Sequence, residues 1–325
     1  MKLIVNNSEY SNFLSFYLNL EFDSFASTFN ILGVKQQMPR GIMYKKCKFY
    51  DDDDNLLLTG QIINYSLAVK SKPQQVRLGG YSTAGILEDV NMPLDLYPIH
   101  LNLMSLNDIL ERVLGFFKID YVVDEDVMEK MDEVFLKTNC SPDQSIKTYI
   151  AGLASERDVI ITHDQYGVLH FTKLKPQRAV HIDENSPFIL EINYRENGQT
   201  LHNPVSIIKQ VGKLNIGDIT VSNPFCNAFR PTTKIMKNGF HKDLENAAKN
   251  YISSELKSIK IYIKTTKFFK PGTLIALKSE TLGFDKPLEL FVENIRWSGS
   301  AAKHEFSMSC IPKAVYYDVD DEIEF

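Results

Sequence analysis

Asn55–Pro93 reads NLLLTGQIINYSLAVKSKPQQVRLGGYSTAGILEDVNMP, and this stretch organises the rest of the chain. Two extended segments, Leu56–Val69 and Gln75–Leu78, flank a polar break at Lys70–Pro73. The second segment ends in Gly79-Gly80-Tyr81-Ser82, and the short amphipathic turn Ile86-Leu87-Glu88-Asp89 closes the unit. Gly79-Gly80 is not a phosphate cradle, because no helix carrying Lys-Ser/Thr opens after it. Paired glycines at a strand end point instead to a bulge or a close backbone approach. No residue in the stretch has the character of a catalytic group.

Outward from it, residues 1–92 are rich in short apolar and aromatic runs (Leu3–Val5, Phe13–Phe29, Tyr44–Tyr50) bounded by Asn, Asp, Gly and Pro. That pattern predicts a small antiparallel barrel or sandwich. Residues 93–180 change character. Ser105 with Asp108 forms an S-x-x-D start, and Leu106, Ile109, Leu110, Val113, Leu114 and Phe117 lie on one helical face. A strand is expected over Ile119–Val123. Ser141-Pro142-Asp143-Gln144 predicts a second helix start, with Ile146, Ile150 and Leu153 as its buried face. Val159–Thr162 and Val168–Phe171 then form a hairpin across Asp164–Gly167, completing a compact α/β block.

Residues 181–325 return to strands. Phe188–Tyr194 and Val205–Val211 read as strands with a turn at Asn197-Gly198, and His241–Lys257 reads as a helix. Ser258–Phe269 alternates Ile259, Ile261 and Ile263 inward against Lys260 and Lys264 outward. Pro271-Gly272 turns into Leu274–Leu277, and Leu288–Trp297 and His304–Cys310 complete a sheet. No strand is assigned over Asn30–Arg40 or Ala228–Lys237, and the acidic tail Asp318–Phe325 is expected to fray. The fold class is therefore α+β, mostly β, with two small antiparallel β-barrels and α/β insertions.

Bulk composition narrows the function. At 325 residues the chain has room for two or three domains. A formal net charge of −5, with no Lys/Arg stripe, argues against a protein that wraps nucleic acid. Cys47, Cys140, Cys226 and Cys310 lie far apart with no CxxC, which fits reduced thiols rather than a zinc site. The N-terminus MKLIVNNSEY is too short in apolar residues for a signal peptide, and no run reaches the ~18 apolar residues of a membrane span. A soluble protein made in a cytoplasm, without membrane insertion, is expected.

Each chemical candidate stands beside a plainer reading. The Asp51–Asp54 run has the oxygen donors of a calcium or magnesium site but no EF-hand spacing, and reads as a solvated hairpin tip. His163 and His170 flank a hairpin turn and could meet across strands, yet no third ligand accompanies them. Arg296-Trp297 could stack on a ligand, or Trp297 could be a core or interface aromatic. Asp and Glu are plentiful, but nothing marks a glycosidase pair, and no G-x-S-x-G or H-E-x-x-H occurs. The expectation is no catalytic, cofactor-binding or metal residues, and no enzyme.

Thr59-Gly60-Gln61-Ile62, then Gly80-Tyr81-Ser82, then Leu87-Glu88-Asp89 resembles the signature of baseplate hub proteins of contractile-tailed phages. These are the Mu-like tail hub and late-control D group, related to the hub portion of secretion-system spike proteins. Phe13–Phe16 through Ser24–Phe29, and the order of elements after residue 181, are similar to the same family. The resemblance implies a first tube-like barrel over 1–92, an α/β insertion domain over 93–180, and a second tube-like barrel over 181–325 with a helical insertion around 225–258. It implies a homotrimer whose six barrels form a pseudo-sixfold ring, joining a hexameric tail tube to a trimeric central spike and docking baseplate wedge proteins. DNA would pass through the lumen without specific binding, in keeping with the acidic balance. The protein would reside in the virion's tail baseplate, assembled in the host cytoplasm. Because the sequence ends at Phe325, after the second barrel, the spike or any lytic domain is expected on a separate chain. Other classes stay open: a tail-tip hub of a non-contractile phage, a peptidoglycan-cleaving tail enzyme, and a carbohydrate or receptor binder.

Overall fold

The computed structural model describes residues 1–11, 13–35, 41–69, 72–97, 103–135, 138, 140–175, 177–211, 214–236, 244–300 and 304–316. In chain order the first strands are β1 (Lys2–Val5), β2 (Ser8–Tyr10), β3 (Ser15–Glu21), β4 (Thr28–Val34), β5 (Lys46–Tyr50), β6 (Leu56–Ala68) and β7 (Gln75–Ser82). There follow α1 (Ile86–Asp89), β8 (Met104–Ser105), α2 (Leu106–Phe117), β9 (Tyr121–Val123), α3 (Glu125–Asp132), β10 (Val134–Phe135), α4 (Ile146–Glu156), β11 (Ile160–His163) and β12 (Leu169–Thr172). The rest comprises β13 (Val180–Asp183), β14 (Ile189–Arg195), β15 (Val205–Val211), β16 (Leu214–Val221) and β17 (Thr232–Met236). Last come α5 (Leu244–Glu255), β18 (Lys260–Thr265), β19 (Leu274–Ser279), β20 (Phe284–Gly299) and β21 (His304–Pro312). The fold is α+β and mostly β, with curled antiparallel sheets that include a half-barrel. Positions 36–40 and 70–71, the expected helix start at His241 and the acidic tail lie outside the described residues.

The chain forms two compact units. Unit 1 holds Met1–Lys173 and Asn294–Ser307; unit 2 holds Leu174–Glu293 and Met308–Phe325. In unit 1 the end of β20 begins a run β20-β3-β4-β7-β6-β5-β1-β2. Alternation drives this sheet: Leu58 and Ile62 of β6, Leu78 of β7 and Phe49 of β5 are at most 1% exposed, while Gln61, Arg77 and Lys48 beside them are half-buried or exposed. Phe29 and Phe49 meet with ring centroids 4.7 Å apart. Each such side chain, fully buried, contributes about 1.5–3 kcal/mol. β4 supplies the strand that sequence reading left unassigned at Asn30–Val34.

A second core in unit 1 gathers Phe25, Leu87, Leu106, Ile109, Leu110, Val113, Ile150, Leu153, Leu169 and Phe171. α2 begins as its sequence predicts. The Asp108 backbone N–H donates to Ser105 Oγ (3.1 Å), and the Ser105 N–H donates to Asp108 Oδ2 (2.8 Å). The Ser105 backbone N–H first, and its hydroxyl (2.7 Å to Oδ2) second, hold the Asp108 carboxyl below the usual carboxylate range.

α4 begins later than expected. Its N-cap is Ser145, whose Oγ accepts from the Thr148 N–H (3.3 Å). Ser141 instead gives its hydroxyl to the Asp143 carboxylate, and its carbonyl accepts from the Gln144 N–H (3.0 Å), closing a turn. The Asn91↔Ser145 bridge and the Ile146 N–H bond to Val90 O (3.1 Å) keep the chain extended up to Ser145. β11 and β12 form the expected hairpin, and β12 also pairs in parallel with β9.

In unit 2, β14, β18, β21 and the start of β20 are neighbours, and β19 joins β20 to β13. Ile259, Ile261 and Ile263 are at most 3% exposed, as the alternation requires. A separate small sheet, β16-β15-β17, carries α5, with Val205, Ile207, Ala248 and Ile252 between them. β17 lies in the stretch left without a strand, parallel to β15. Among the described residues no helix is long and apolar enough to cross a membrane.

Candidate functional site

The three segments of the Asn55–Pro93 signature converge in space. Gly60 stands opposite Ser82, Gln61 opposite Tyr81 and Ile62 opposite Gly80, with a bulge between Ile62 and Asn64. A Cβ on Gly80 would lie 2.1 Å from Gln61 O and 2.5 Å from Phe29 Cζ, and one on Gly60 would lie 2.0 Å from Tyr81 O. The glycines therefore allow the two backbones to touch, which is the close approach inferred from the sequence. Ser82, 1% exposed, binds Ser27 twice: its N–H donates to Ser27 O (2.8 Å) and its Oγ accepts from the Ser27 N–H (3.0 Å). Tyr81 bonds Asp89, tying the Leu87-Glu88-Asp89 turn to the strand pair. Burial, reinforced by Asp89, pushes the Tyr81 phenol up to about 12. These residues lock backbone to backbone.

The predicted chemical candidates are engaged in structural roles. His163 bonds Ser24 O through Nδ1 (2.8 Å) and Ser27 Oγ through Nε2 (2.8 Å). Nδ1–H donates to the carbonyl, and in the neutral ring that burial favours Nε2 accepts from the Ser27 hydroxyl. Burial lowers its pKa below 6.5. His170 sits opposite Thr162 while His163 sits opposite Leu169, so the two rings occupy opposite faces of the hairpin and do not meet. His170 Nε2 lies 3.3 Å from Asp164 Oδ2.

Asp51 Oδ1 accepts from the N–H groups of Asp53 (2.9 Å) and Asn55 (2.8 Å), forming the loop expected of a hairpin tip. Asp54 pairs with Lys2 (2.6 Å) and Asp52 with the N-terminal amine. No group of three or more His, Cys, Asp or Glu able to hold a metal occurs among the described residues. Trp297 is 5% exposed and packs on Phe16 (5.6 Å) and Phe306 (5.2 Å). Arg296, its strand neighbour, lies over the Tyr17 ring at 5.0 Å, so the two do not form one stacking surface. All four cysteines are free and buried. Desolvation raises the Cys47 thiol to about 12 and Cys140 to about 11, far from a reactive thiolate.

Two polar centres were not foreseen. Arg157, 9% exposed, donates to Glu133 Oε2 (2.6 Å), Glu133 O (3.0 Å) and Val134 O (3.2 Å), and covers the Phe135 ring at 4.4 Å. In unit 2, Glu255, 7% exposed, accepts from the His202 N–H (2.9 Å) and lies 2.5 Å from His202 Nδ1. Asn223 Nδ2 is 3.4 Å from the same carboxylate. Nothing in a single sequence joins positions 202 and 255; their pairing is set by the fold.

Solved structures of phage tail proteins share this fold along nearly the whole chain. The 43 kDa tail protein of prophage MuSo2 from Shewanella oneidensis matches with a TM-score of 0.80 at 16% identity, over 97% of this chain and 98% of its own. The tail protein from Neisseria meningitidis matches with a TM-score of 0.80 at 14% identity, over 97% of both chains. An Escherichia coli component of the type VI secretion system matches with a TM-score of 0.62 at 10% identity, over 98% of this chain and 79% of its own. No family model and no curated protein matches the chain.

Proposed function

We propose that the chain is a structural subunit of a phage tail, the baseplate hub that joins the tail tube to the central spike. The observation that carries this reading is the end-to-end match with a TM-score of 0.80 to the MuSo2 tail protein. The E. coli secretion component is itself described as structurally similar to the phage T4 tail proteins gp27 and gp5, which supports a position near the spike. The engagement of the Gly60–Ser82 signature, the histidines and Trp297 in packing favours a mechanical role without a chemical step.

In this reading 1–92 is a first tube-like barrel, 93–180 an insertion domain and 181–325 a second tube-like barrel. Three chains assemble into a pseudo-sixfold ring, because two similar barrels in each of three copies match a hexameric tube above and a trimeric spike below. The tube protein, the spike and the wedge proteins are the partners, and DNA crosses the lumen without specific binding. The hub belongs to the virion and is assembled in the host cytoplasm.

Light scattering on the chain alone, and mixed with a candidate spike protein, tests the proposal. The expected mass is three times the 37.2 kDa of one chain when the chain is alone, or that mass plus the mass of the spike when assembly needs the spike. A chain that stays monomeric both alone and with the spike would overturn it.

A further inference from the structure

The formal net charge of −5 conceals a local asymmetry in unit 1. Residues 24–50 and 55–87 contain no Asp or Glu, while Lys and Arg recur through both. Between them the acids are gathered at Asp51–Asp54, where the N-terminal amine and Lys2 hold Asp52 and Asp54. Lys35, Lys45, Lys46, Lys48, Lys72 and Arg77 are all exposed, and none of these side chains has a partner among the described residues. Other acids of this sheet are engaged: Asn19 donates to Glu21, Tyr81 bonds Asp89, and Glu9 acts on Lys2.

The strand register gathers three of these cations on one outer face. β5 turns Lys46 and Lys48 outward against buried Cys47 and Phe49, so the two side chains leave the sheet about 7 Å apart. Lys46 stands opposite Gln61, and on the far side of β6 Arg77 stands opposite Ser66. Arg77 alternates with buried Val76 and Leu78, which puts it on the same outer face. Asn30 and Asn64 flank Gly79 from the neighbouring strands. A Cβ on Gly79 would lie 2.8 Å from Asn30 Oδ1 and 3.5 Å from Asn64 Cβ, so the amides converge over bare backbone. Cations interspersed with amides and hydroxyls are the set that contacts phosphate oxygens and fixes position without reading bases. A single strand would need a succession of stacking rings, and among the described residues of β1–β7 and their loops Tyr44 is the one strongly exposed aromatic (74%). A duplex needs none, because its phosphates are already arrayed on a stiff rod.

We propose that this outer face of unit 1 binds the phosphate backbone of duplex DNA, with Lys46, Lys48 and Arg77 as the cations and Asn30, Gln61 and Asn64 as hydrogen-bonding groups. The contact is with one stretch of backbone, not a wrap, and is indifferent to base sequence. The inference stands on unit 1 alone. Its test uses neither spike nor ring, so its failure leaves the hub reading standing.

Fluorescence anisotropy of the full chain with short labelled duplexes of two unrelated sequences tests it. Three phosphate contacts give log K against log salt a slope of about −2.7, so binding should weaken roughly fortyfold between about 50 and 200 mM salt, alike for both sequences. Arg77→Gln should lessen that slope by about 1. Lys46→Gln, Lys48→Gln and Arg77→Gln together should weaken binding about tenfold or more. Lys118→Gln, Lys130→Gln and Lys147→Gln take the same charge from the α2–α4 block and should leave binding within about twofold. Circular dichroism checks that both triple variants fold. Absence of duplex binding at about 50 mM salt, or equal loss in the two triple variants, would overturn the proposal. So would tighter binding of the single strand, or equal binding of phosphatidylglycerol vesicles or polyglutamate.

Discussion

Gly80 has no room for a side chain: the space a methyl group would need is occupied by Gln61 O at 2.1 Å and the edge of Phe29. Gly80→Ala is expected to cost ~3 kcal/mol or more, because a backbone carbonyl cannot step aside as a flexible side chain does. Urea denaturation of the two proteins measures this directly. His163 makes a second prediction, with a sign that follows from its burial. Its native pKa lies below 6.5, so above that pH both folded and unfolded forms are neutral and the residue contributes no slope. As pH falls below 6.5 the unfolded ring takes up a proton that the folded ring resists, and stability drops by at most about 1.4 kcal/mol per pH unit for this one group. Unfolding midpoints at pH 7.5 and 5.5 should therefore fall further for the natural protein than for His163→Gln, which cannot titrate. An equal fall in both would show that His163 is not the origin. At this scale the sequence was legible where a residue's role is local. Gly79-Gly80 announced a close approach, whereas the Ser24–Ser27–His163 joint links residues 136 to 139 positions apart and leaves no local trace.

Helix α4 separates what pattern can reveal from what it cannot. Both Ser141 and Ser145 are followed by residues compatible with a first turn, and only the tertiary bonds of Val90 and Asn91 to Ile146 and Ser145 choose between them. Ser145→Ala should cost about 1 kcal/mol as a lost N-cap. Ser141→Ala, which removes only a turn contact, should stay within about 0.5 kcal/mol; thermal melts of the two variants decide it. Ser105→Ala should resemble Ser145→Ala. Elements with strong periodicity, α2 and β18 above all, could be read directly, since burial of one face dictates the spacing of Leu and Ile. α3 went unread because EDVMEKMD offers only Val127 and Met131 to the core. β17 went unread because TTKIM has no period-2 alternation, and its pairing with β15 is parallel and distant in sequence.

At the scale of the molecule, the sequence resemblance pointed to the phage tail fold that the solved structures share, while the boundaries of the compact units were not legible. The reason lies in β20 and β21, each of which begins in one unit and ends in the other. The Asn294–Gly299 end of β20 pairs with β3, and Trp297 there packs on Phe16. A fragment of residues 1–173 should therefore be insoluble or molten when expressed alone, and should recover when residues 174–325 are supplied in trans; proton spectra of the two preparations check this. The chain crosses between the units at 173/174, 293/294 and 307/308, and two of these crossings fall inside continuous β-strands. Under tension, such a protein behaves as a laced joint rather than as beads on a string. Cutting any one crossing leaves two others carrying the load, so a single nick by a protease would not release either unit from its neighbour.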